Sequence, residues 1–369
     1  MRILITGSQG FIGQNLFVRL SELSDIEVLH LTRNDPLDLL DELVAKSDAI
    51  VHLAGENRPK DIADFSVVNA DLTKSICNII RKLKRNIPLI LASSTQASMD
   101  NPYGKSKRSA ERAVEQLAEE TGNTVNIYRL PGVFGKWCRP NYNSVVATFC
   151  HNIANDLPIK VNDASLPIKL VYIDDVITDF INTLQATEHK VVNWRKISPE
   201  YSITLGDLSK QIEAFKECRT NLVSERVGLG LTRALYSTYI SYLPPVKFMY
   251  DLPQHGDERG IFVEMLKTAD SGQFSFFTAH PGVTRGGHYH HSKSEKFLVI
   301  KGSAQFRFRH VVKNEVYEVF TSGEKSQVVE SIPGWVHDIT NIGEEEMVVM
   351  LWANEIFDKK QPDTYASKI

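Results

Sequence analysis

The chain has 369 residues, a length that predicts two domains rather than one hydrophobic core. Hydrophobic residues make up 42% of the sequence and charged residues 24%, which is typical of a globular protein in water. A formal net charge of −3 gives no reason to expect a nucleic acid or a membrane surface as a partner, and no apolar run approaches the length of a membrane span. The first residues do not resemble a secretion signal. The four cysteines lack paired spacing, which indicates reduced thiols and a cytoplasmic location.

The pattern of hydrophobic residues changes once along the chain. Up to about residue 240, short apolar runs such as RILITG, IEVLHLT, AIVHLAG, IPLILASS and TVNIYRL alternate with segments of helical spacing. This alternation predicts a doubly wound parallel α/β sheet of the Rossmann type. The stretch 241–257 contains three prolines, and short alternating strands follow it, which predicts an all-β sandwich or barrel. We therefore predict two domains, 1–243 and 244–369.

Three glycines follow the first predicted strand. Gly7, Gly10 and Gly13 stand in TGSQGFIG, between an apolar strand and an amphipathic helix. Such a turn lets the backbone approach a pyrophosphate and aims a helix N-terminus at its charge. A glycine turn packed for steric reasons is the alternative, but its place after the first strand favours a dinucleotide.

Arg33 ends the second predicted strand, where an acidic residue would bind a ribose 2′-hydroxyl. An arginine suits a 2′-phosphate instead, so Arg33 favours NADP over NAD. A solvated arginine at a strand end is the alternative, and the nearby Asp35 leaves it open.

Tyr103 and Lys107 lie four residues apart in a predicted helix, so their side chains share one face. An ammonium group near a phenol favours phenolate and lowers the phenol pKa, so the pair could give a proton to a carbonyl oxygen as hydride reaches the carbon. Ser94 and Thr95, at the end of the preceding strand, could hold the same oxygen. A solvated Tyr-Lys pair on a surface helix is the common alternative.

Taken together, these motifs resemble those of extended short-chain dehydrogenase/reductases, which include nucleotide-sugar epimerases, dehydratases and reductases. The matching pieces are TGSQGFIG, HLAG at 52–55, SST at 93–95, YGKSK at 103–107, RLPGVFG at 129–135 and VYIDDV at 171–176. The resemblance implies that Tyr103 is the catalytic acid, Lys107 its activator and Ser94 the hydroxyl partner. It also implies two binding sets. The cofactor set is Gly7, Gly10, Phe11, Ile12, Gly13, Arg33, Ala54, Tyr103 and Lys107, and the substrate set in the loop 135–144 is Arg139, Asn141 and Asn143.

A histidine-rich constellation lies near residue 290. His288 and His290 alternate on one predicted strand, Glu295 follows after a turn, and His337 stands in a later PGWVH segment. Three imidazoles and one carboxylate suit a divalent transition metal such as zinc, iron, manganese or nickel, and we expect zinc. Their spacing resembles the two motifs of metal-binding cupin barrels. His291 is an alternative ligand, but it points to the opposite face of the strand.

The same region also resembles cupin epimerases that act on 4-keto-6-deoxy nucleotide sugars, through DERGIFVE, TRGGHYH, EKFLVIKG and PGWVH. In that family the histidine matching His288 removes the proton beside the ketone, and Arg285 would hold the substrate. His288 cannot comfortably be both base and ligand, and we favour the metal. The base then stays open between a metal-bound hydroxide, Lys296 and Asp338.

A chain that joins these two parts resembles the bifunctional capsular-polysaccharide enzymes of the CapF type, on the route to UDP-N-acetyl-L-fucosamine. The resemblance implies C3 epimerisation of a UDP-2-acetamido-2,6-dideoxy-4-ketohexose in the cupin. NADPH-dependent C4 reduction to UDP-2-acetamido-2,6-dideoxy-L-talose would follow in the first domain. The alternative is a reductase alone, with the cupin as a structural and dimerising module. We expect a homodimer.

Overall fold

The computed structural model describes residues 1–32, 34–36, 38–56, 66–186 and 190–369, with the backbone alone for 66–68. Arg33, and with it the predicted contact to a 2′-phosphate, lies outside the described residues. Contacts divide the chain into two compact units, Met1–Ile212 with Arg233–Leu243 and Glu213–Thr232 with Pro244–Ile369. Whether 1–243 and 244–369 fold as independent domains stays a prediction.

A six-stranded parallel sheet forms the centre of the first unit. The strands of this unit are β1 (Arg2–Thr6), β2 (Glu27–Leu31), β3 (Ala49–His52), β4 (Leu89–Ser94), β5 (Val125–Leu130), β6 (Gly132–Phe134), β7 (Pro167–Tyr172), β8 (Val192–Arg195) and β9 (Tyr201–Thr204). The main sheet has the order β2-β1-β3-β4-β5-β8, and β6-β7-β9 form a small second sheet. The chain leaves β1 to one side for β2 and returns to the other side for β3, which creates a crevice at the carboxyl ends of β1 and β3.

Helices connect these strands. Those wholly within the first unit are α1 (Phe11–Ser21), α2 (Leu39–Lys46), α3 (Leu72–Leu83), α4 (Pro102–Thr121), α5 (Val145–Ala154) and α6 (Ile173–Gln185), with short helical turns at Ser66–Asp71 and Thr95–Ser98. The residues of α7 (Leu205–Asn221) and α8 (Gly230–Ile240) are divided between the two units, and a short helical turn at Pro245–Lys247 belongs to the second. α1 packs against α6, whereas α2, α3 and α4 pack in series. Apolar residues at helical spacing, such as Ile76 and Ile80 of α3 and Val114 and Leu117 of α4, are fully buried with the sheet.

The ends of α4 explain how this helix presents its first turn. The Asn101 side chain accepts a hydrogen bond from the Gly104 N–H (2.7 Å), and Pro102 occupies the first helical position. Gly122 ends the helix in the left-handed region, with φ 73°. Tyr103 therefore lies in the capped first turn and Lys107 one turn later on the same face.

Two sheets form the second unit. Its strands are β10 (Val223–Ser224), β11 (Gln254–Asp257), β12 (Gly260–Thr268), β13 (Gly272–Ala279), β14 (Thr284–Tyr289), β15 (Glu295–Lys301), β16 (Ser303–His310), β17 (Val316–Ser322), β18 (Val328–Ser331), β19 (Trp335–Asn341), β20 (Met347–Ala353) and β21 (Tyr365–Ala366). One sheet has the order β10-β12-β13-β20-β15-β18 with β11 beside β12, and the other β17-β16-β19-β14-β21.

The apolar side chains of these two sheets meet in one cluster. Phe277, Phe297, Phe306, Ile339 and Met347 are among its buried members. The predicted fold class is thus confirmed: a doubly wound parallel sheet of the Rossmann type is followed by a strand-rich cupin barrel. Within the described residues, no helix has the length and apolar composition that a membrane span requires.

Gly13 should be a point of steric constraint in the first unit. A Cβ there would lie 2.2 Å from the Gly7 carbonyl oxygen, so Gly13→Ala must push α1 away from the turn before it. Overpacking of this kind costs about 1–3 kcal/mol. We expect thermal denaturation to show a melting temperature lowered by several degrees. Gly228→Ala is the matched control, because a Cβ at Gly228 meets nothing within 4 Å. Equal melting temperatures for the two variants would contradict this packing.

Candidate active site and candidate metal centre

The turn between β1 and α1 carries the predicted glycines. Gly7 has φ 73°, and a Cβ on it would lie 2.7 Å from the Ala54 nitrogen, so no side chain fits between this turn and the residues after β3. Gly10 stands before α1 without a side chain to cap it, which leaves N–H groups of the first turn available to an anion. The backbone therefore has the shape that a pyrophosphate needs.

A cleft of about 1190 Å³ lies in the first unit beside this turn. It brings together most of the predicted site residues of this unit: Gly7, Gly10, Phe11, Ile12, Gly13, Ser94, Tyr103, Lys107, Arg139 and Asn143. Ala54 lies behind the glycine turn, where its N–H donates to Thr6 Oγ1 (3.3 Å). The cleft thus connects a phosphate-binding turn with the Tyr-Lys helix.

Tyr103 and Ser94 share a hydrogen bond between their side chains inside the cleft. Burial raises the pKa of Tyr103, and the hydrogen bond with Ser94 opposes this shift only in part. The sequence predicted that Lys107 lowers the pKa of Tyr103. In the structure, the pKa of Tyr103 is raised instead. Tyr103 is protonated at neutral pH, which is the state that a proton donor needs.

Lys107 is a buried cation, with 7% of its surface exposed. Its Nζ donates a hydrogen bond to the Ala92 carbonyl oxygen near the end of β4 (2.6 Å). Burial lowers the pKa of Lys107 to about 8, and the carboxylate of Glu111 opposes this shift. Lys107 therefore keeps its charge at neutral pH.

Glu111 is a buried residue that the sequence analysis missed. Its carboxylate accepts hydrogen bonds from Ser93 Oγ (2.6 Å), from Arg129 Nε and Nη2 (2.9 and 2.8 Å) and from Arg108 Nη1 (2.8 Å). Burial alone would raise the pKa of Glu111, but these hydrogen bonds lower it further than burial raises it. Glu111 lies one helical turn after Lys107 on the same face of α4, and this spacing could have identified it from the sequence.

The far end of the cleft contains polar and aromatic residues from distant parts of the chain. Tyr142 Oη donates to Glu56 Oε1 (3.0 Å), and the Arg139 guanidinium lies over the Tyr142 ring at 5.1 Å. Arg139 and Asn143 line the cleft, and so do Glu56 and Tyr142, which the sequence analysis did not name. Asn141 lies outside the residues that line it and has φ 54°, with its N–H bound to Thr148 Oγ1 (3.0 Å).

The four predicted metal ligands converge in the second unit. One candidate ligand atom from each of His288, His290, Glu295 and His337 lies within 4.8 Å of the others. β14 and β19 bring His288 opposite His337, and Glu295 opens β15 in the facing sheet. Glu295 Oε2 lies 3.2 Å from Nε2 of both His290 and His337.

The chemistry of this cluster fits a divalent transition metal. Both ring nitrogens of His337 are buried without a hydrogen-bond partner among the described residues, which is costly unless a cation binds one of them. The Asp363 carbonyl oxygen can only accept, so His290 Nδ1 carries the proton there and Nε2 is left to act as a ligand. Burial lowers the pKa of His288 to about 4, which keeps its imidazole neutral and able to coordinate at neutral pH.

Lys293 is a further buried residue of this cluster that sequence reasoning missed. Its Nζ lies 2.9 Å from Glu295 Oε1, the oxygen that does not face the histidines. Burial would raise the pKa of Glu295, but the adjacent imidazoles of His290 and His337 and the Lys293 charge hold it well below the ordinary value. The carboxylate is thus ionised and keeps one oxygen for a metal.

A cavity of about 270 Å³ adjoins the ligands and contains Arg285, Lys293 and Asp338 among its lining residues. Arg285 is held by the Thr278 carbonyl, to which its Nε donates (2.8 Å). Asp338, a candidate base, accepts two hydrogen bonds from Arg307 (3.0 and 2.6 Å). The other candidate base, Lys296, is exposed and pairs with Glu330.

Known protein families match both the first and the second part of the chain. Residues 3–194 match the NAD dependent epimerase/dehydratase family, and residues 255–365 match the Polysaccharide biosynthesis C-terminal domain. A Pseudomonas aeruginosa protein named UDP-2-acetamido-2,6-beta-L-arabino-hexul-4-ose reductase is 55% identical over 100% of this chain and 99% of its own. The crystal structure of the capsular polysaccharide assembling protein CapF from Staphylococcus aureus is 41% identical, with a TM-score of 0.92 over 100% of both chains.

The chain belongs to the CapF family. A second CapF structure, with the inhibitor 3-isopropenyl-tropolone, is 37% identical over all of both chains, with a TM-score of 0.87. The predicted resemblance to CapF-type proteins is therefore confirmed over the full length. The first unit of this CapF-family chain also belongs to a family whose members use a nicotinamide cofactor.

Proposed function

We propose that this chain is a bifunctional nucleotide-sugar enzyme of capsular-polysaccharide synthesis. Its cupin unit epimerises C3 of a UDP-2-acetamido-2,6-dideoxy-4-ketohexose. Its first unit then reduces the C4 ketone with NADPH, giving UDP-2-acetamido-2,6-dideoxy-L-talose. The observation that carries the reductase half is the cleft with a protonated Tyr103 bound to Ser94, one helical turn from the buried Lys107 ammonium.

The residues of the first unit have separate tasks in this reduction. When bound, the nicotinamide would supply hydride to the ketone carbon. Tyr103 Oη gives its proton to the C4 oxygen, and Ser94 Oγ donates a hydrogen bond to the same oxygen. The Lys107 ammonium, held by the Ala92 carbonyl oxygen, supplies the positive charge of the same cleft.

Different observations support the proposed cofactor and the proposed sugar substrate. In the sequence, Arg33 stands where the second predicted strand ends, and it supports NADP(H), since a guanidinium pairs with a 2′-phosphate. The name of the Pseudomonas aeruginosa relative supports a UDP-linked 4-ketosugar as the substrate. Arg139 and Asn143, which line the cleft, are the proposed contacts to it, and Asn141 is left out because it does not line the cleft.

Tyr103→Phe should abolish most of the reduction. Removing the proton donor is expected to lower kcat/KM for the ketosugar by about 10²–10⁴-fold, whereas NADPH should bind as in the wild type. NADPH oxidation at 340 nm and fluorescence titration of NADPH measure the two effects. Tyr250→Phe, at an exposed tyrosine of the second unit that belongs to no proposed site or interface, is the matched control. Wild-type turnover in Tyr103→Phe would overturn the assignment.

The epimerase half of the proposal is supported by the cavity beside the histidine cluster. A divalent metal bound by His288, His290, Glu295 and His337 would polarise a ketone oxygen and so acidify the neighbouring C–H. Zinc is the metal we propose, because three imidazoles and one carboxylate suit it.

The residue that moves the proton at C3 is still unassigned. His288 is proposed as a ligand and is then unable to act as the base. Asp338 faces the cavity with its carboxylate held by Arg307, whereas Lys296 is exposed and paired with Glu330. The geometry favours Asp338 over Lys296. Arg285 is positioned to hold the substrate or the charge of its enolate.

Solvent exchange separates the two activities. In heavy water without NADPH, the wild type should incorporate deuterium at C3 of the ketosugar, as measured by NMR. Tyr103→Phe should exchange equally well, and His337→Gln should lose exchange with its metal. No incorporation by the wild type, with reduction of an already epimerised ketone intact, would instead support a reductase whose cupin is a structural module.

A homodimer and a cytoplasmic location complete the proposal. The four cysteines are free thiols, which supports a reducing compartment. The edge strand β17 exposes Tyr317 and Phe320, which supports association with a second copy.

A further inference from the structure

Asp363, six positions before Ile369, is held by an unusual number of contacts. Its carboxylate accepts hydrogen bonds from three consecutive backbone N–H groups, those of His291, Ser292 and Lys293, each at 2.8 Å. Ser292 Oγ also donates to it (3.0 Å). These contacts lie in the short connection between β14 and β15, which joins the ligands His290 and Glu295.

The backbone of Asp363 contacts the cluster directly as well. Its carbonyl oxygen accepts the hydrogen bond from His290 Nδ1, which fixes the ring orientation and the tautomer. The following residues continue the attachment, since β21 pairs with β14 and sets Ala366 opposite His288. The Ser367 N–H donates to the Gly287 carbonyl (2.9 Å).

The charge of Asp363 is suited to this role. An ionised carboxylate bound by several N–H groups forms stronger hydrogen bonds than a neutral acceptor does. The connection between the two ligands is therefore held by one charged group from the end of the chain.

We propose that Asp363 is a positioning residue of the metal site and that the chain's C-terminal segment completes that site. The segment orders the loop 290–295 and aims His290 Nε2 at the cluster before metal binds. This inference rests on the proposed metal site. It makes metal affinity depend on a residue that is not itself a ligand.

Asp363→Asn is the direct test, because the amide keeps the size of the side chain but loses its charge and one acceptor oxygen. Loss of such a supporting contact weakens metal binding by about 10–100-fold. We expect the Kd for zinc, measured by competition with a chromogenic chelator on the full chain, to rise by that factor. Asp358→Asn, in the same segment with one backbone partner, Lys360, should leave the Kd unchanged.

A second readout separates positioning from a general loss of stability. Circular dichroism must show both variants folded at the temperature of the zinc titration. The visible spectrum of the cobalt-substituted protein should then change in Asp363→Asn, because the orientation of His290 changes, and stay unchanged in Asp358→Asn. Wild-type protein that binds no zinc would overturn the metal site and this inference together. A wild type that binds zinc with an Asp363→Asn variant of equal Kd and spectrum would overturn the inference alone.

Discussion

The buried charge of Lys107 is the constraint on which the active site of the first unit depends. An ammonium group removed from water costs several kcal/mol unless polar partners surround it. The Ala92 carbonyl supplies a hydrogen bond, and Glu111, one turn further along α4, supplies the opposite charge. Glu111 is in turn held by Arg108, Arg129 and Ser93. The ends of β4 and β5 and the helix α4 are thereby fixed around one cation, and Tyr103 lies on the same face of the same helix.

The second unit has a similar arrangement, but its central buried group carries a negative charge instead of a positive one. Glu295 is a buried carboxylate between two imidazoles and the Lys293 ammonium, and the carboxylate of Asp363 orders the loop that carries it. In both units, therefore, a buried ionised group sits where chemistry is proposed and is balanced by partners that are not themselves reactive. Such partners fix geometry and charge, which is why their loss should change affinity or pH dependence rather than only stability.

The sequence predicted the parts of both sites that are local in the chain. The glycine turn, the Tyr103–Lys107 pair and the spacing of His288, His290 and Glu295 are each contained within a few residues, so periodicity places them on one face or one turn. The repeated order of strand and helix was sufficient for the fold class.

The residues that sequence reasoning missed are brought in by the tertiary structure. Asp363 is 70 residues from Lys293, and Glu56 is 86 residues from Tyr142, so no local pattern links them. Burial also decides that the pKa of Tyr103 is raised rather than lowered, and the spacing of residues in the sequence does not reveal burial. Asn141 was predicted because its loop matches the place where relatives hold the sugar nucleotide, but it does not line the cleft, and its backbone has φ 54° with its N–H bound to Thr148 Oγ1.

The charge of Lys107 can be tested most directly through the pH dependence of ketone reduction. Since burial sets its pKa at about 8 and Glu111 opposes that lowering, kcat/KM should fall above about pH 8 in the wild type. In Glu111→Gln the loss of the negative charge should move this decline to lower pH. A wild-type profile that stays flat to pH 10, or a decline at the same pH in both proteins, would contradict the account.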